Sequence, residues 1–88
     1  MEIDIPPFLR DFTHGIKVAN MSGNTVGECL GNFIEQFPGS KKFLFGKDGK
    51  LTKYLDVYVN GKSTYPEELS RQVNDGDKIS ILHLIIGG

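Results

Sequence analysis

The sequence predicts an α+β domain in which a mixed sheet of four to five strands carries one main helix across one face. Apolar residues recur at helical spacing from position 26 to position 37. That stripe needs a sheet to cover it, because a short helix is not stable alone. Alternating apolar and polar residues, typical of half-buried strands, occur before and after the helix. Two opening strands, a crossover helix and returning strands describe the β-grasp arrangement.

The opening strand and its partner are predicted from the first part of the chain. In the first five residues Ile3 and Ile5 alternate with acidic residues and share one face, and two prolines then end the strand. The next segment has no clear period, so we expect a loop anchored by Phe8 and Phe12. A second strand over residues 15–21 would form a hairpin with the first. Its pattern does not decide which face points inward: the inward pair is either Ile16 with Val18 or Ala19 with Met21.

The helix is the most clearly marked element. Thr25 followed by Glu28 fits a capping box, in which each side chain satisfies a free backbone N–H at the helix start. Pro38 and Gly39 end the helix. Its apolar stripe consists of Val26, Cys29, Leu30, Phe33, Ile34 and Phe37.

A connection rich in lysine follows, with a turn over residues 46–49. We expect Phe43, Leu44 and Phe45 to pack back onto the core. The lysines are expected to be solvated, with contact to an acidic patch on a partner as the second interpretation and nucleic acid as a distant third. These lysines are Lys41, Lys42, Lys47, Lys50 and Lys53.

The third strand is predicted over residues 54–60 and ends at a tight turn, Asn60-Gly61. A short helical turn is expected over residues 65–69. The inward residues of the strand are Leu55, Val57 and Val59, and the outward residues are Asp56, Tyr58 and Asn60.

The last strand, predicted over residues 78–86, follows a strong turn signal at residues 74–77. Both of its faces become apolar towards the end. One interpretation is a central strand buried on both sides. The other places Ile79 and Ile81 against the helix and leaves an outer patch that a partner covers. The patch would comprise Leu82, Leu84 and Ile86, extended by Tyr58.

Composition restricts the class of protein. Eleven acidic against ten basic residues give a net charge of −1, so no electrostatic signature favours nucleic acid or an anionic membrane as a partner. No apolar run approaches the roughly 20 residues of a membrane span. The single Cys29 cannot form an internal disulfide. The N-terminus is unlike a secretory signal, and we expect a reducing, cytoplasmic location.

The chain closes on Gly87-Gly88 directly after an apolar strand. Glycine has no Cβ, so two in succession form a thin stalk that is able to thread a narrow channel and present a carboxylate. We therefore expect a folded domain over residues 1–84 and a flexible tail over residues 85–88.

Several segments together carry a family resemblance that spans essentially the whole chain. They are Ile5-Pro6 with Leu9-Arg10, residues 22–27 (SGNTVG), 49–51 (GKL), 57–60 (VYVN) and 75–82 (DGDKISIL), and Gly87-Gly88. On these residues the chain resembles the MoaD/ThiS family of ubiquitin-like sulfur carriers, most closely its CysO-type subgroup. Many members of that family carry proline near the position of His83.

The resemblance implies a carrier that is not an enzyme and binds no cofactor of its own. A partner adenylating enzyme of the ubiquitin-activating type would use ATP and Mg to activate the Gly88 carboxylate. A sulfur donor would then leave a thiocarboxylate, which a sulfur-accepting synthase consumes. Cysteine biosynthesis is the favoured pathway and molybdopterin biosynthesis the next. The implied partner interface comprises Leu82, Leu84, Ile85, Ile86 and Tyr58.

Other functions remain open on sequence alone. The chain could be a ubiquitin-like modifier conjugated to lysines through Gly88, or a non-covalent interaction module. Cys29 lies on the apolar helix stripe, so a buried structural cysteine is favoured over a nucleophile. His14 and His83 have no neighbours spaced as a metal site.

Overall fold

The computed structural model describes residues 1–83. A mixed five-stranded sheet in the order β2-β1-β5-β3-β4 forms one layer, and the helix α1, Val26–Gln36, packs across one of its faces. The first and last strands, β1 and β5, are parallel, and the other neighbours are antiparallel. The predicted β-grasp fold is thus confirmed. The strands are β1 Glu2–Asp4, β2 Val18–Asn20, β3 Leu55–Val59, β4 Lys62–Ser63 and β5 Lys78–His83.

Helix α1 begins where the capping residues predicted it. The Thr25 hydroxyl accepts a hydrogen bond from the Glu28 backbone N–H at 3.1 Å. In return, the Glu28 carboxylate accepts one from the backbone N–H of Asn24 at 2.8 Å. These bonds satisfy donors that a helix start leaves free. The apolar stripe faces the sheet, and Cys29 and Phe33 are fully buried in it.

The core lies between α1 and the inner face of the sheet. Alternate residues of β3 and β5 point into it, as the period of two along a strand requires. The predicted inward face of β3 is confirmed. The buried sheet residues are Ile3, Ile5, Ala19, Leu55, Val57, Val59, Ile79 and Ile81.

The loop expected before β2 is instead a 3₁₀ helix, Pro7–Phe12. Proline suits the first helical position because its fixed φ matches a helix and it has no N–H to leave unpaired. Leu9 is the buried anchor of this turn, whereas Phe8 and Phe12 are only half-buried. The sequence prediction of two aromatic anchors therefore missed the main one.

The inward face of β2 is settled by its register with β1, in which Ile3 stands opposite Ala19. Ala19 and Met21 are buried, and Ile16 and Val18 are exposed.

The connection after α1 contains a 3₁₀ turn, Pro38–Ser40, and one turn of α-helix, α2, Lys41–Leu44. Leu44 is buried, but Phe43 is 38% exposed. The expectation that three consecutive apolar residues all pack inward was wrong for Phe43, because adjacent residues of a helical turn point in different directions. Its ring instead contacts the Phe12 ring, with 4.9 Å between centroids.

The turn at Asn60-Gly61 joins β3 to the short β4, which the sequence had not marked separately. Both residues have positive φ, 53° and 82°, as a two-residue hairpin turn requires. The helical turn expected at residues 65–69 is a 3₁₀ helix, Glu68–Ser70. Within residues 1–83, no helix has the length and apolar character to cross a membrane.

Candidate functional site at the end of the last strand

Strand β5 occupies the centre of the sheet and carries the chain towards the predicted tail. It pairs with β1 on one side, through Ile3 opposite Ile79, and with β3 on the other. The β3 pairing continues to Leu55 opposite His83, the last residue that the structure describes. The end of this strand is therefore held in place by the ladder it shares with β3.

The outer face of β5 becomes apolar at its end. Ile79 and Ile81 are buried towards α1, whereas Leu82 is 44% exposed on the opposite face. The interpretation of a strand buried on both faces is thus wrong for Leu82, and the predicted outward position of this side chain is confirmed. Whether a partner covers it stays a prediction.

Tyr58 also points outward, as predicted, and is half-buried. It stands opposite Ser80, and Asp56 stands opposite Leu82. Tyr58 and Leu82 are therefore diagonal neighbours on one face, within reach of a large aromatic side chain. The remaining predicted site residues, Leu84, Ile85, Ile86, Gly87 and Gly88, lie outside the described residues.

A groove of about 400 Å³ runs beside Leu82 and was not foreseen from the sequence. Arg10 and Lys17 line it together with Asp4 and Val18. The Arg10 Nε–H donates to the Ile5 carbonyl at 3.1 Å, which fixes the guanidinium at the groove. The outer face thus offers apolar surface bordered by charged side chains of both signs. Sequence could not reveal this arrangement, because these residues are distant along the chain.

The Asp-Gly-Asp turn before β5 is hydrogen-bonded to the turn between β3 and β4. The Asp77 carboxylate accepts from the Asn74 backbone N–H and from the Asn60 side-chain amide, both at 2.8 Å. The Asn60 amide oxygen accepts in turn from the Lys78 N–H at 3.0 Å. The backbone donor of Asn74, followed by the Asn60 amide, lowers the pKa of Asp77. This network sets the register in which β5 starts.

Cys29 is fully buried and free, as predicted. Its Sγ lies 3.5 Å from the Met1 sulfur, and burial raises the pKa of its thiol. A buried thiol with a raised pKa is a poor nucleophile. In the part of the chain described, no three His, Cys, Asp or Glu side chains cluster as a metal site.

Comparison with known families gives a match along nearly the whole chain. The profile of the ThiS family covers residues 3–88. The chain belongs to the ThiS family. The matched range includes the central strand, the outer face at Leu82 and the closing Gly87-Gly88.

Two sulfur carrier proteins are relatives of this ThiS family member. The sulfur carrier protein CysO of Mycobacterium tuberculosis is 30% identical over 89 residues, with 98% of this chain and 96% of the relative covered. A putative sulfur carrier protein of Archaeoglobus fulgidus is 37% identical over 43 residues, covering 48% of this chain and 49% of the relative.

Solved structures show the same architecture. The crystal structure of Mycobacterium tuberculosis CysO superposes with a TM-score of 0.88 at 29% identity, covering 96% of this chain and 98% of that one. A chain of the Amycolatopsis orientalis BexX/CysO complex superposes with a TM-score of 0.87 at 33% identity, covering 99% of this chain and 98% of that one. The ThiS/MoaD resemblance of the CysO type, predicted from the sequence, is confirmed.

Proposed function

We propose that the chain is a sulfur carrier protein of the CysO type, whose Gly88 carboxylate is converted to a thiocarboxylate. The observation that carries the proposal is the full-length match to a sulfur carrier protein, within a family match that extends to Gly88. The chain would be acted on by partner enzymes and would supply no catalytic residue of its own.

The chemistry explains why activation is needed. A carboxylate is a poor electrophile because its oxygen is a poor leaving group. Attack of the Gly88 carboxylate oxygen on the α-phosphorus of Mg-ATP, on a ubiquitin-activating-type enzyme, forms an acyl-adenylate and releases pyrophosphate. Sulfur from a donor then attacks the acyl carbon and expels AMP. The resulting thiocarboxylate is a better nucleophile than the acid and passes its sulfur to an accepting synthase.

The folded body would provide recognition, since its outer face presents Leu82 on the strand that leads to the tail and Tyr58 on the neighbouring strand. We propose that Leu84, Ile85 and Ile86 continue this interface. The solved BexX/CysO complex supports an interface of this general kind, because its CysO is similar to the present chain.

The favoured pathway is cysteine biosynthesis, with molybdopterin biosynthesis second. The match to CysO along the whole chain supports this order. Thiocarboxylated chain offered separately to a cysteine-forming synthase and to a molybdopterin-forming synthase would distinguish the two by which product accumulates.

Mass spectrometry tests the carrier role directly. Incubation with the adenylating enzyme, Mg-ATP and sulfide should exchange one oxygen for sulfur at the C-terminal residue. Deletion of Gly88 should abolish the exchange. Gly31→Ala is the matched glycine control, because an added Cβ there meets no atom within 4 Å. An unchanged mass for the unmodified chain with active enzyme would contradict the proposal.

The protein-modifier alternative predicts a different product, an isopeptide bond from Gly88 to lysines of other proteins. The small archaeal modifier protein 1 of Methanosarcina acetivorans shares the fold with a TM-score of 0.85, but at 24% identity this likeness concerns the fold alone. Conjugates mapped to lysines in lysate, without thiocarboxylate, would favour the modifier function.

A further inference from the structure

A second groove, separate from the outer sheet face, opens where β5 ends. It has a volume of about 930 Å³, towards the upper end of the range of about 300–1,000 Å³ seen for ligand clefts. His83 forms part of its wall and contacts the Phe8 ring, with 5.3 Å between centroids. The apolar lining consists of Phe8, Phe43, Leu51, Tyr54 and Leu55.

Lysines line the border of this groove. Lys42 Nζ lies 5.4 Å from the centroid of the Phe43 ring, and Lys53 Nζ lies 5.5 Å from that of Tyr54. Lys47 is a third exposed cation on the lining. Cation–π contacts of this kind hold an ammonium group over an aromatic surface while leaving it open to an anion.

Charge is strongly segregated around the groove. Residues 41–53 hold five lysines and one aspartate, whereas the rest of the chain holds five basic and ten acidic side chains. One segment is thus net +4 in a chain of net charge −1. A partner surface complementary to this groove would be acidic and would place an apolar side chain against the aromatic residues that line it.

The turn at residues 46–49 is not built to hold phosphate. Phosphate loops present free backbone N–H groups. Here the N–H of Gly46 donates to Lys50, that of Gly49 donates to Gly46, and that of Lys50 donates to the Asp48 carboxylate. These backbone donors are already used, and the Asp48 carboxylate on the groove lining is itself engaged by the Lys50 N–H.

We propose that this groove binds an acidic polypeptide segment bearing a bulky apolar side chain, on the protein that activates the tail. The inference rests on the proposed function, because His83, the last described residue before the tail in sequence, lies on the groove lining. The apolar side chain lies against Phe43 and Tyr54, and flanking carboxylates pair with the lysines. The groove adds a second contact region to the one at Leu82.

The test is a titration of the full-length, ¹⁵N-labelled chain with a short amidated peptide in which aspartates and glutamates flank Leu-Phe. Chemical-shift changes should concentrate at Phe8, Tyr54 and His83 and weaken with added salt. Replacing Leu-Phe by Ala-Ala in the peptide should abolish saturable binding. AMP or ATP producing the same shifts would overturn the choice of a polypeptide.

Two charge-reversal variants, one inside the groove and one outside it, test whether binding depends on the groove lysines. Lys47→Glu should weaken peptide binding about fivefold, and Lys62→Glu, an exposed lysine outside the groove, should leave it within about twofold. Equal effects of the two variants would overturn the inference. Deletion of Gly87 and Gly88 should leave peptide binding unchanged.

Kinetics with the adenylating enzyme separate the two proposals. Lys47→Glu should raise KM for the carrier about fivefold with kcat unchanged. The adenylating enzyme could accept the unmodified chain and both variants, Lys47→Glu and Lys62→Glu, with the same KM. In that case the groove inference fails and the carrier function stands. If the chain binds the peptide at the groove but is never thiocarboxylated, the carrier function fails and the groove remains a peptide site.

Discussion

Truncating two adjacent residues of β5 should have different effects: Ile81 should matter mainly for folding stability, and Leu82 mainly for partner binding. Ile81 is 2% exposed and packs under α1, whereas Leu82 is 44% exposed on the other face. Truncating a buried isoleucine to alanine costs about 2–5 kcal/mol, through lost transfer free energy and the cavity left behind. Truncating Leu82 removes a side chain that is already 44% exposed to water, so we expect a smaller loss, of about 1 kcal/mol.

In the proposed adenylation reaction the order should be reversed, with truncation of Leu82 having the larger effect. If Leu82 anchors the partner, removing it should cost about 2 kcal/mol of binding, or about thirtyfold in KM for the carrier. Ile81→Val is the matched control, because it should lower the free energy of unfolding by about 0.5–1.5 kcal/mol and leave the outer face intact. Its KM should match that of the unmodified chain.

Two measurements on the purified variants decide the matter. Urea unfolding followed by circular dichroism gives the free energy of unfolding, and steady-state pyrophosphate release at varied carrier concentration gives KM. A Leu82→Ala variant as destabilised as Ile81→Ala would refute the exposed outer face. A stable Leu82→Ala variant with unchanged KM would refute its place in the interface.

Two further predictions concern stability. Because the folded pKa of Asp77 is lowered, its stabilising contribution is fully present above the ordinary carboxyl pKa of about 4 and is lost as pH falls through the folded value. The difference in unfolding free energy between the unmodified chain and Asp77→Asn should therefore shrink on acidification below about pH 4, and a constant difference would contradict the network. Gly23→Ala would place a Cβ 2.7 Å from Cys29 Sγ and 2.9 Å from its backbone nitrogen, so thermal unfolding should show a loss of more than about 1 kcal/mol. Gly31→Ala, in open space on α1, should instead stabilise by about 0.5–1 kcal/mol, and equal effects at both positions would count against the packing described.

Elements with strong local signals were predictable from the sequence. Thr25, Glu28 and Pro38 mark the ends of α1 through short-range chemistry, and the structure follows them. The alternation in β5 put Leu82 on the face opposite Ile79 and Ile81, since the side-chain period of a strand is fixed. It left open whether that face is buried, and the family resemblance favoured exposure.

Features that depend on tertiary contacts were not predictable. The face of β2 was open because both candidate pairs are apolar, and only its register with β1 decides between them. Phe43 was expected in the core because hydrophobicity alone does not reveal the direction of a side chain in a single helical turn. Arg10 and Lys17 meet Leu82 at one groove although more than sixty positions of sequence separate them. No local sequence pattern predicts a contact between residues so far apart along the chain.

The parallel pairing of β1 with β5 has a consequence for synthesis of the protein. Among the described strands, β1 comes first along the chain and β5 comes last, yet the two are neighbours, and β5 is the only described strand that touches both hairpins. Until residues 78–83 emerge, the β1–β2 and β3–β4 pairs have no common neighbour, and closing such a long loop is slow. Completion of the sheet therefore coincides with delivery of the segment that leads to the tail, so a nascent chain that stops short of β5 lacks the assembled outer face at Leu82.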